Sequence, residues 1–383
     1  MVEYLCIIDI ESIVDKNSHF NTFYFMSKAL SIVIPTYNEG ENIAVLVERI
    51  HNAISGYDYE ILFVDDDSKD DTAGTIEKLS ESYPVRVAVR KNERGLASAV
   101  VHGILNTTGQ KVLVMDADLQ HPPEVIPSLV KAAEDGADIV VASRYVEGGG
   151  CQEWGLFRKL VSRVSTIIAH VFLPPTRSVK DPMSGFFMFD RKVVENAKLQ
   201  PRGYKILLEV LMEGEFKNVV EVPFTFVTRD EGESKLNTKQ QIEYLRHIYS
   251  LMCRKGEMVR FIKFCLVGLS GVGVNMGLLW LLTEYGGLHY RVSAVISIET
   301  SIITNFILNN FFTFRGRNEP GTKPFFRRLL KFNLISLVGL GFNLGILSLL
   351  TDVAGLYYLV SNIIAIIIVT LWNYLLNTWW TWR

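Results

Sequence analysis

The segment KVLVMDADLQHPPE, Lys111 to Glu124, runs from an apolar stretch straight into two carboxylates and an amide spaced two residues apart. Alternate side chains of an extended chain share a face, so Asp116, Asp118 and Gln120 can aim their oxygens at one point beyond the strand end. Three hard oxygen donors suit Mg²⁺ or Mn²⁺, which take carboxylate and carbonyl ligands. The competing reading is a polar turn that caps a helix starting at Pro122 or Pro123, and the D-x-D alone leaves both open. Other chemistry-bearing residues also follow apolar runs: Pro35, Tyr37 and Glu39 after the first, Asp65, Asp66 and Asp67 after the second, Arg144 after the fifth. Acids can hold ribose hydroxyls and base edges while a divalent cation bridges a diphosphate, so the set suits a nucleotide-diphosphate-sugar donor. No G-x-G-x-x-G follows the first run and no P-loop lysine motif is present, which argues against a hydride-transferring dinucleotide enzyme.

The elements that must position these residues alternate. ALSIVIPTYNE, YEILFVDDDS, VRVAVR, KVLVMDA and ADIVVAS read as strands, with helices expected over about 41–51, 70–82, 96–106 and 123–134. Strands alternating with helices imply an α/β domain with a mostly parallel sheet, Rossmann-like, covered on both faces. Such sheets bind ligands outside the carboxyl ends of their strands, where the residues above gather.

The chain has 383 residues and a net charge of −2, which gives no reason to expect nucleic acid as a partner. Its mean hydropathy of +0.20 averages two unlike halves. Up to about Arg260 the composition is that of a soluble domain; beyond it lie four apolar stretches, about 261–284, 291–313, 330–351 and 357–380. Each is long enough to cross a bilayer. Residues 261–315 align without a gap on 329–383, GVGVNMG over GLGFNLG, and Asn305 and Asn309 over Asn373 and Asn377. The expectation is a four-helix membrane domain over 261–383, made of a duplicated helical hairpin and offering a surface for self-association. Basic residues crowd before the first span and in the 314–331 connection, so the positive-inside rule puts both termini, that loop and the soluble domain on the cytoplasmic side of the cell membrane. Residues 237–260 mix apolar and basic positions at helical spacing and read as an amphipathic helix, lying on the bilayer or packed on the soluble domain. Glu299 is an acid inside the second span, functional by default or held in a structural hydrogen bond. The four cysteines show no paired spacing, and residues 1–27 read as an N-terminal extension, since Met26 precedes the first strand.

IVIPTYNEGENI, FVDDDSKDDT, RGLASAV, MDADLQHPPE, ASRYVEGG and DPMSGFFMFDR, in this order and spacing, resemble the polyprenol-phosphate glycosyltransferases of the inverting GT-A type. The likeness covers roughly residues 30–235, within a catalytic domain expected over 28–236, and the membrane half resembles the GtrA-like four-helix domain of some members. Within the family the mannose synthases are the nearest match. The resemblance implies transfer of mannose from GDP-mannose to a dolichyl or other polyprenyl phosphate. It places Pro35, Tyr37, Glu39, Val64 and Asp66 in the nucleoside pocket, Asp118 and Gln120 on the metal, and Asp116 beside ribose, metal or sugar. Arg144, Arg158 and Ser162 are then candidates for the acceptor phosphate, with Asp116, Asp118 and Arg144 as the catalytic set. Arg229 and Lys235 bracket a polar loop able to close over the donor diphosphate. Asp181 either touches the sugar, positions Arg144 or is structural. Two departures stand out: Asp67 replaces the glycine of Asp-Asp-Gly-Ser, and Asp71 that of Asp-Gly-Thr. If that first glycine needs positive φ, aspartate tolerates it well.

Three alternatives remain at this stage. UDP-glucose as donor would use nearly the same residues. A processive polysaccharide synthase carries Gln-x-x-Arg-Trp late in its catalytic domain, whereas the comparable piece here, CQEWG at 151–155, lacks the arginine and comes too early. A lipid-linked sugar flippase would leave the donor residues without a purpose.

Overall fold

The computed structural model describes residues 28–151, 155–200, 202–227, 238–317 and 321–382. The 1–27 extension, Arg229 and Lys235 lie outside them. The five apolar runs form β1 (Leu30–Thr36), β2 (Tyr59–Asp65), β3 (Val85–Val89), β4 (Lys111–Val114) and β5 (Ile139–Ser143). Between them come α1 (Gly40–Ala53), α2 (Thr72–Leu79), α3 (Leu96–Leu105) and α4 (Ile126–Glu134). After β5 follow β6 (Gly150–Cys151), α5 (Leu156–Phe172), β7 (Phe187–Asp190), α6 (Ile206–Glu213), β8 (Val219–Pro223) and β9 (Thr225–Phe226).

Seven strands make one sheet in the order β3-β2-β1-β4-β7-β5-β8, and β6 pairs with β9. All pairings in the large sheet are parallel except those of β7, which runs antiparallel between β4 and β5. That reversal matters for the site. Phe187 opposes both Val114 and Val141, so the residues leading into β7 arrive at the carboxyl ends of its neighbours. The sheet is sealed on both faces, as a near-continuous apolar run requires. Ile32 and Ile34 pack with Ile43, Leu46 and Ile50 of α1, whereas Val33 points the other way into Val100 of α3 and Val210 of α6.

The membrane half follows α7 (Thr238–Arg254) and comprises α8 (Glu257–Trp280), α9 (Tyr290–Leu308), α10 (Thr322–Ser348) and α11 (Tyr358–Leu376). Each ends in a π-helical turn, giving apolar helices over Glu257–Tyr285, Tyr290–Thr313, Thr322–Val353 and Tyr358–Thr381. Two boundaries differ from those expected. The helix expected over 237–260 stops at Arg254, because Gly256 takes φ +70° and lets the chain turn into α8. The 314–331 connection is shorter than expected, since α10 starts at Thr322 with Pro324 tolerated in its first turn. Glu299 accepts a hydrogen bond from Asn333 Nδ2, tying the second span to the third. At the basic end of the bundle Phe264, Phe306, Phe314, Phe332, Tyr374 and Trp382 form one buried aromatic cluster. Phe314 and Trp382 stack with ring centroids 4.2 Å apart.

α7 is docked on the soluble domain by Tyr244, Ile248, Leu251 and Met252, which pack with Leu173 of α5's end and with Leu208 and Met212 of α6. A buried ion cluster fastens the same contact. Glu209 of α6, fully buried, accepts from His247 Nε2 at 3.0 Å and from Arg254 Nη2 at 2.6 Å. Removing the carboxylate takes the acceptor from His247 and leaves Arg254 with Glu213 at 3.4 Å; breaking a buried pair costs about 3–5 kcal/mol. Glu209→Ala is therefore expected to lower the unfolding midpoint of the detergent-solubilised chain clearly; an unchanged midpoint would show that the apolar contact alone holds α7.

Candidate active site at the carboxyl edge of the sheet

β4 hands the chain to Asp116 and Asp118 within four residues, and Leu119 at φ +61° reverses it. Asp116 N–H donates to His121 Nδ1 at 3.0 Å, and Gln120 N–H donates to Asp118 Oδ1 at 3.1 Å. His121 is buried, stacked on Phe186 with centroids 5.2 Å apart and edged by Phe224 and Phe226. Burial pulls its pKa down, so it stays neutral and accepts from the Asp116 amide. Gly185, delivered by the approach to β7, faces this turn: a Cβ there would come within 3.2 Å of His121 and 3.4 Å of Asp116 Oδ2. Gln120 Nε2 donates to Val227 O at 3.0 Å, which orients the amide and fixes which side its carbonyl oxygen takes. Two half-buried carboxylates and an amide oxygen form a hard donor set that fits Mg²⁺ or Mn²⁺. Among the described residues no group of three His, Cys, Asp or Glu forms another candidate metal centre.

Where β5 ends, Arg144 is held as a fork. Its Nε and Nη2 donate to Asp181 Oδ2 and Oδ1 at 2.7 and 2.8 Å, and its backbone N–H donates to Oδ2 at 3.1 Å. Asp181 is fully buried, and its carboxylate is engaged by the Arg144 guanidinium. Beside the fork, Tyr145 and Ser162 hydroxyls lie 2.7 Å apart. Arg158 stands one turn before Ser162 on α5, half-buried. The acceptor-phosphate candidates thus come together around Arg144.

The nucleoside candidates line the ends of β1 and β2. Pro35 and Glu39 are half-buried, and Tyr37 is exposed with the Arg94 guanidinium 4.7 Å above its ring. Glu39 accepts from Asn42 Nδ2 at 2.8 Å. Asp66 is buried and accepts from Arg90 Nε at 2.9 Å and from the Gly95 amide at 2.8 Å, so much of its carboxylate is used within the fold. The Val64 side chain lies in the core beneath α3 and leaves its backbone for any contact at the edge. Asp67 sits at φ +55°, the left-handed conformation foreseen for it, and pairs with Lys69 at 2.6 Å.

One residue escaped the sequence. Lys205, just before α6, donates to Met183 O at 2.8 Å, and its charge interacts with those of Arg144, Asp116, Asp181 and Arg158. It is half-buried, and desolvation, with Arg144 adding to it, pushes its pKa down to about 8 from the ordinary 10.5. Its only sequence signal is a lone lysine before the apolar ILLEVLM. A depressed lysine keeps its charge below about pH 8, where it opposes folding, and loses both charge and penalty as pH rises through that value. The KM for a phosphate acceptor is therefore expected to climb above about pH 8. Lys205→Arg should hold it low to higher pH, and Lys205→Met should raise it about tenfold at neutral pH, the size of one charge-assisted hydrogen bond. A pH profile of KM unchanged in both variants would remove Lys205 from the site.

The family description glycosyl transferase family 2 matches residues 31–197, and GtrA/DPMS, transmembrane domain, matches residues 263–382. A dolichol-phosphate mannosyltransferase of Pyrococcus furiosus is 45% identical over 353 residues, covering 92% of this chain and 99% of the relative. That of Saccharomyces cerevisiae is 38% identical over 255 residues, covering 62% of this chain and 94% of the relative. A glucosyl-3-phosphoglycerate synthase of Mycobacterium tuberculosis, solved with Mn²⁺ and UDP-glucose, is similar at 19% identity and a TM-score of 0.47, over 59% of this chain and 80% of that one. With one relative matched along nearly its whole length, the chain belongs to the dolichol-phosphate mannosyltransferase family, a GT-A glycosyltransferase domain followed by four apolar helices of the GtrA/DPMS type.

Proposed function

We infer that this chain is a membrane-bound inverting glycosyltransferase that moves mannose from GDP-mannose to dolichyl or another polyprenyl phosphate, releasing GDP. The observation that carries this is the presence of two chemistries at the same edge of the sheet, on the two strands that flank β7: the Asp116-x-Asp118-x-Gln120 turn after β4 and the Asp181-held Arg144 fork after β5. The dolichol-phosphate mannosyltransferase name of relatives that span nearly their whole length favours mannose over glucose and catalysis over flipping.

The acceptor phosphate is ionised near neutral pH, so its oxygen attacks the anomeric carbon without a general base. The carbon–oxygen bond to the donor diphosphate breaks as the new one forms on the opposite face, and the bonding pair leaves with GDP. Asp116, Asp118 and Gln120 would hold a Mg²⁺ or Mn²⁺, which would supply Lewis-acid stabilisation of the departing diphosphate. The protein's own contribution is alignment and fixed charge. Asp181 freezes the Arg144 guanidinium, which, with Arg158, Ser162 and Lys205, receives the acceptor phosphate. Pro35, Tyr37, Glu39, Asp66 and the Val64 backbone take the nucleoside, and Arg229 and Lys235 are assigned to the donor diphosphate.

α5 and α7 bring this site to the lipid. α5 exposes Leu156, Leu160, Val164 and Ile167 on one stripe, and α7 exposes Ile242, Leu245 and Tyr249. Paired apolar stripes of this extent on a soluble face mark a membrane-contacting surface. Both helices then lie on the bilayer, with the catalytic domain, the connection between the second and third spans and both termini on the cytoplasmic side.

The direct test is transfer of labelled sugar to a polyprenyl phosphate by the purified full chain, with GDP-mannose and UDP-glucose offered in parallel. Mannose transfer that chelator abolishes and Asp118→Ala reduces at least about 100-fold supports the reading. Transfer from UDP-glucose alone overturns the sugar, and transfer from neither donor overturns the reaction.

A further inference from the structure

β2 runs into three consecutive carboxylates, Asp65, Asp66 and Asp67, and the fold uses them differently. Asp65 is buried; its Oδ1 accepts from Thr36 Oγ1 at 3.2 Å and its Oδ2 from the Ser68 amide at 2.9 Å. Asp66 is buried too, with Oδ1 on Arg90 and Oδ2 on the Gly95 amide. Asp67 differs. Its backbone at φ +55° departs from the line of the strand, and its side chain is 44% exposed. Its Oδ2 pairs with Lys69, itself 66% exposed. An ion pair so open to water is weak, and the carboxylate can exchange the ammonium for another donor. Asn38 clasps the loop after β1 to the loop after β2: its amide donates to Ser68 Oγ at 2.8 Å, and its Oδ1 accepts from the Lys69 amide at 2.8 Å. Tyr37 precedes Asn38 and Asp67 precedes Ser68, so the clasp holds an exposed aromatic ring and an exposed carboxylate at one place on the sheet edge. Arg94 joins them. Its guanidinium lies 4.7 Å from the centre of the Tyr37 ring, and Lys69, Lys91 and Arg94 together keep the Asp67 carboxyl below the ordinary carboxylate range.

We propose that Asp67 reads the base of the donor nucleotide and selects guanine, on a stacking surface made by Tyr37 and Arg94. This rests on the GDP-mannose reading above and names the group that tells its base from others. Guanine offers two adjacent donors, N1–H and its N2 amine, one for each carboxylate oxygen, and a carboxylate accepts at both. Hypoxanthine keeps the N1–H and lacks the amine. Uracil offers a single N–H flanked by two carbonyl oxygens, so one of them would face the second carboxylate oxygen. Adenine sets a bare ring nitrogen beside its amine. Such acceptor-to-acceptor contacts discriminate by repulsion as much as the guanine bonds do by attraction. Stacking does not discriminate, because every base has a π face. Tyr37 and Arg94 therefore supply affinity, and Asp67 supplies the choice. Glycine and asparagine both accept φ +55°, so the carboxylate can be removed without disturbing the turn that carries it.

Calorimetric titration of the purified full chain in detergent tests this, with GDP, IDP, UDP and ADP as separate probes and Mn²⁺ throughout. Wild type is expected to bind GDP most tightly, and IDP, which lacks only the amine, about tenfold less tightly. Asp67→Gly should bind GDP and IDP alike, and Asp67→Asn, which keeps one acceptor, should fall between. Both variants should bind UDP at least as tightly as wild type does, which certifies the pocket. Lys69→Ala, which removes the resident partner and keeps the carboxylate, should retain the preference for GDP. Tyr37→Ala should weaken all four nucleotides together. A preference for GDP over IDP that persists in Asp67→Gly overturns the role of Asp67 and leaves the donor reading standing. A wild type that binds UDP more tightly than GDP overturns the donor reading and this inference with it.

Discussion

The Arg144–Asp181 fork is the contact on which the catalytic half turns. It places a guanidinium at the end of one strand and locks it to a carboxylate that arrives on the approach to another, so it is both a structural clasp and part of the candidate site. Burying such a pair is worthwhile only with good geometry and its remaining donors and acceptors satisfied. The backbone amide of Arg144 also donates to Asp181, and Asp181's own amide donates to Glu221 on β8, so the carboxylate is gripped from several directions. The result is a cation that cannot drift, with a direction fixed before any ligand arrives. Such preorganisation lets an enzyme stabilise charge without paying for reorientation at the moment of reaction.

The antiparallel β7 makes that fork geometrically available. A purely parallel order would bring only loops following β4 and β5 to the site edge. Reversing one strand delivers the stretch before it, Asp181 to Gly185, to the same edge. Asp181 then clasps Arg144, and Gly185, by lacking a side chain, admits His121 and Asp116 against each other. The site is stitched from both directions of the chain.

Much of this was legible in the sequence. The five apolar runs, the D-x-D-x-Q turn and the spans rest on local signals, alternation and run length, and the strands and helices form where those signals lie. β7 and the roles of His121 and Lys205 were not, and for a physical reason. FFMFD is too short to declare its direction, and a strand's partner is settled by tertiary packing. His121 reads as one more polar residue until three phenylalanines are seen to wall it in. Lys205 has no local pattern at all; its character comes from charges brought near it by distant segments. The break at Gly256 is intermediate: the glycine is visible, but an amphipathic pattern on both sides hides that it ends a helix.

The stack of Phe314 on Trp382 carries a consequence for how the membrane half is put together. The two positions are 68 apart, the offset that relates the hairpins in sequence, so each ring lies against its own counterpart. The stack ties the chain just after the second span to the chain just after the fourth, so neither end can unwind without exposing the ring of the other. Glu299 stands where the position 68 later is Ile367, so the bond it makes to Asn333 has no counterpart there.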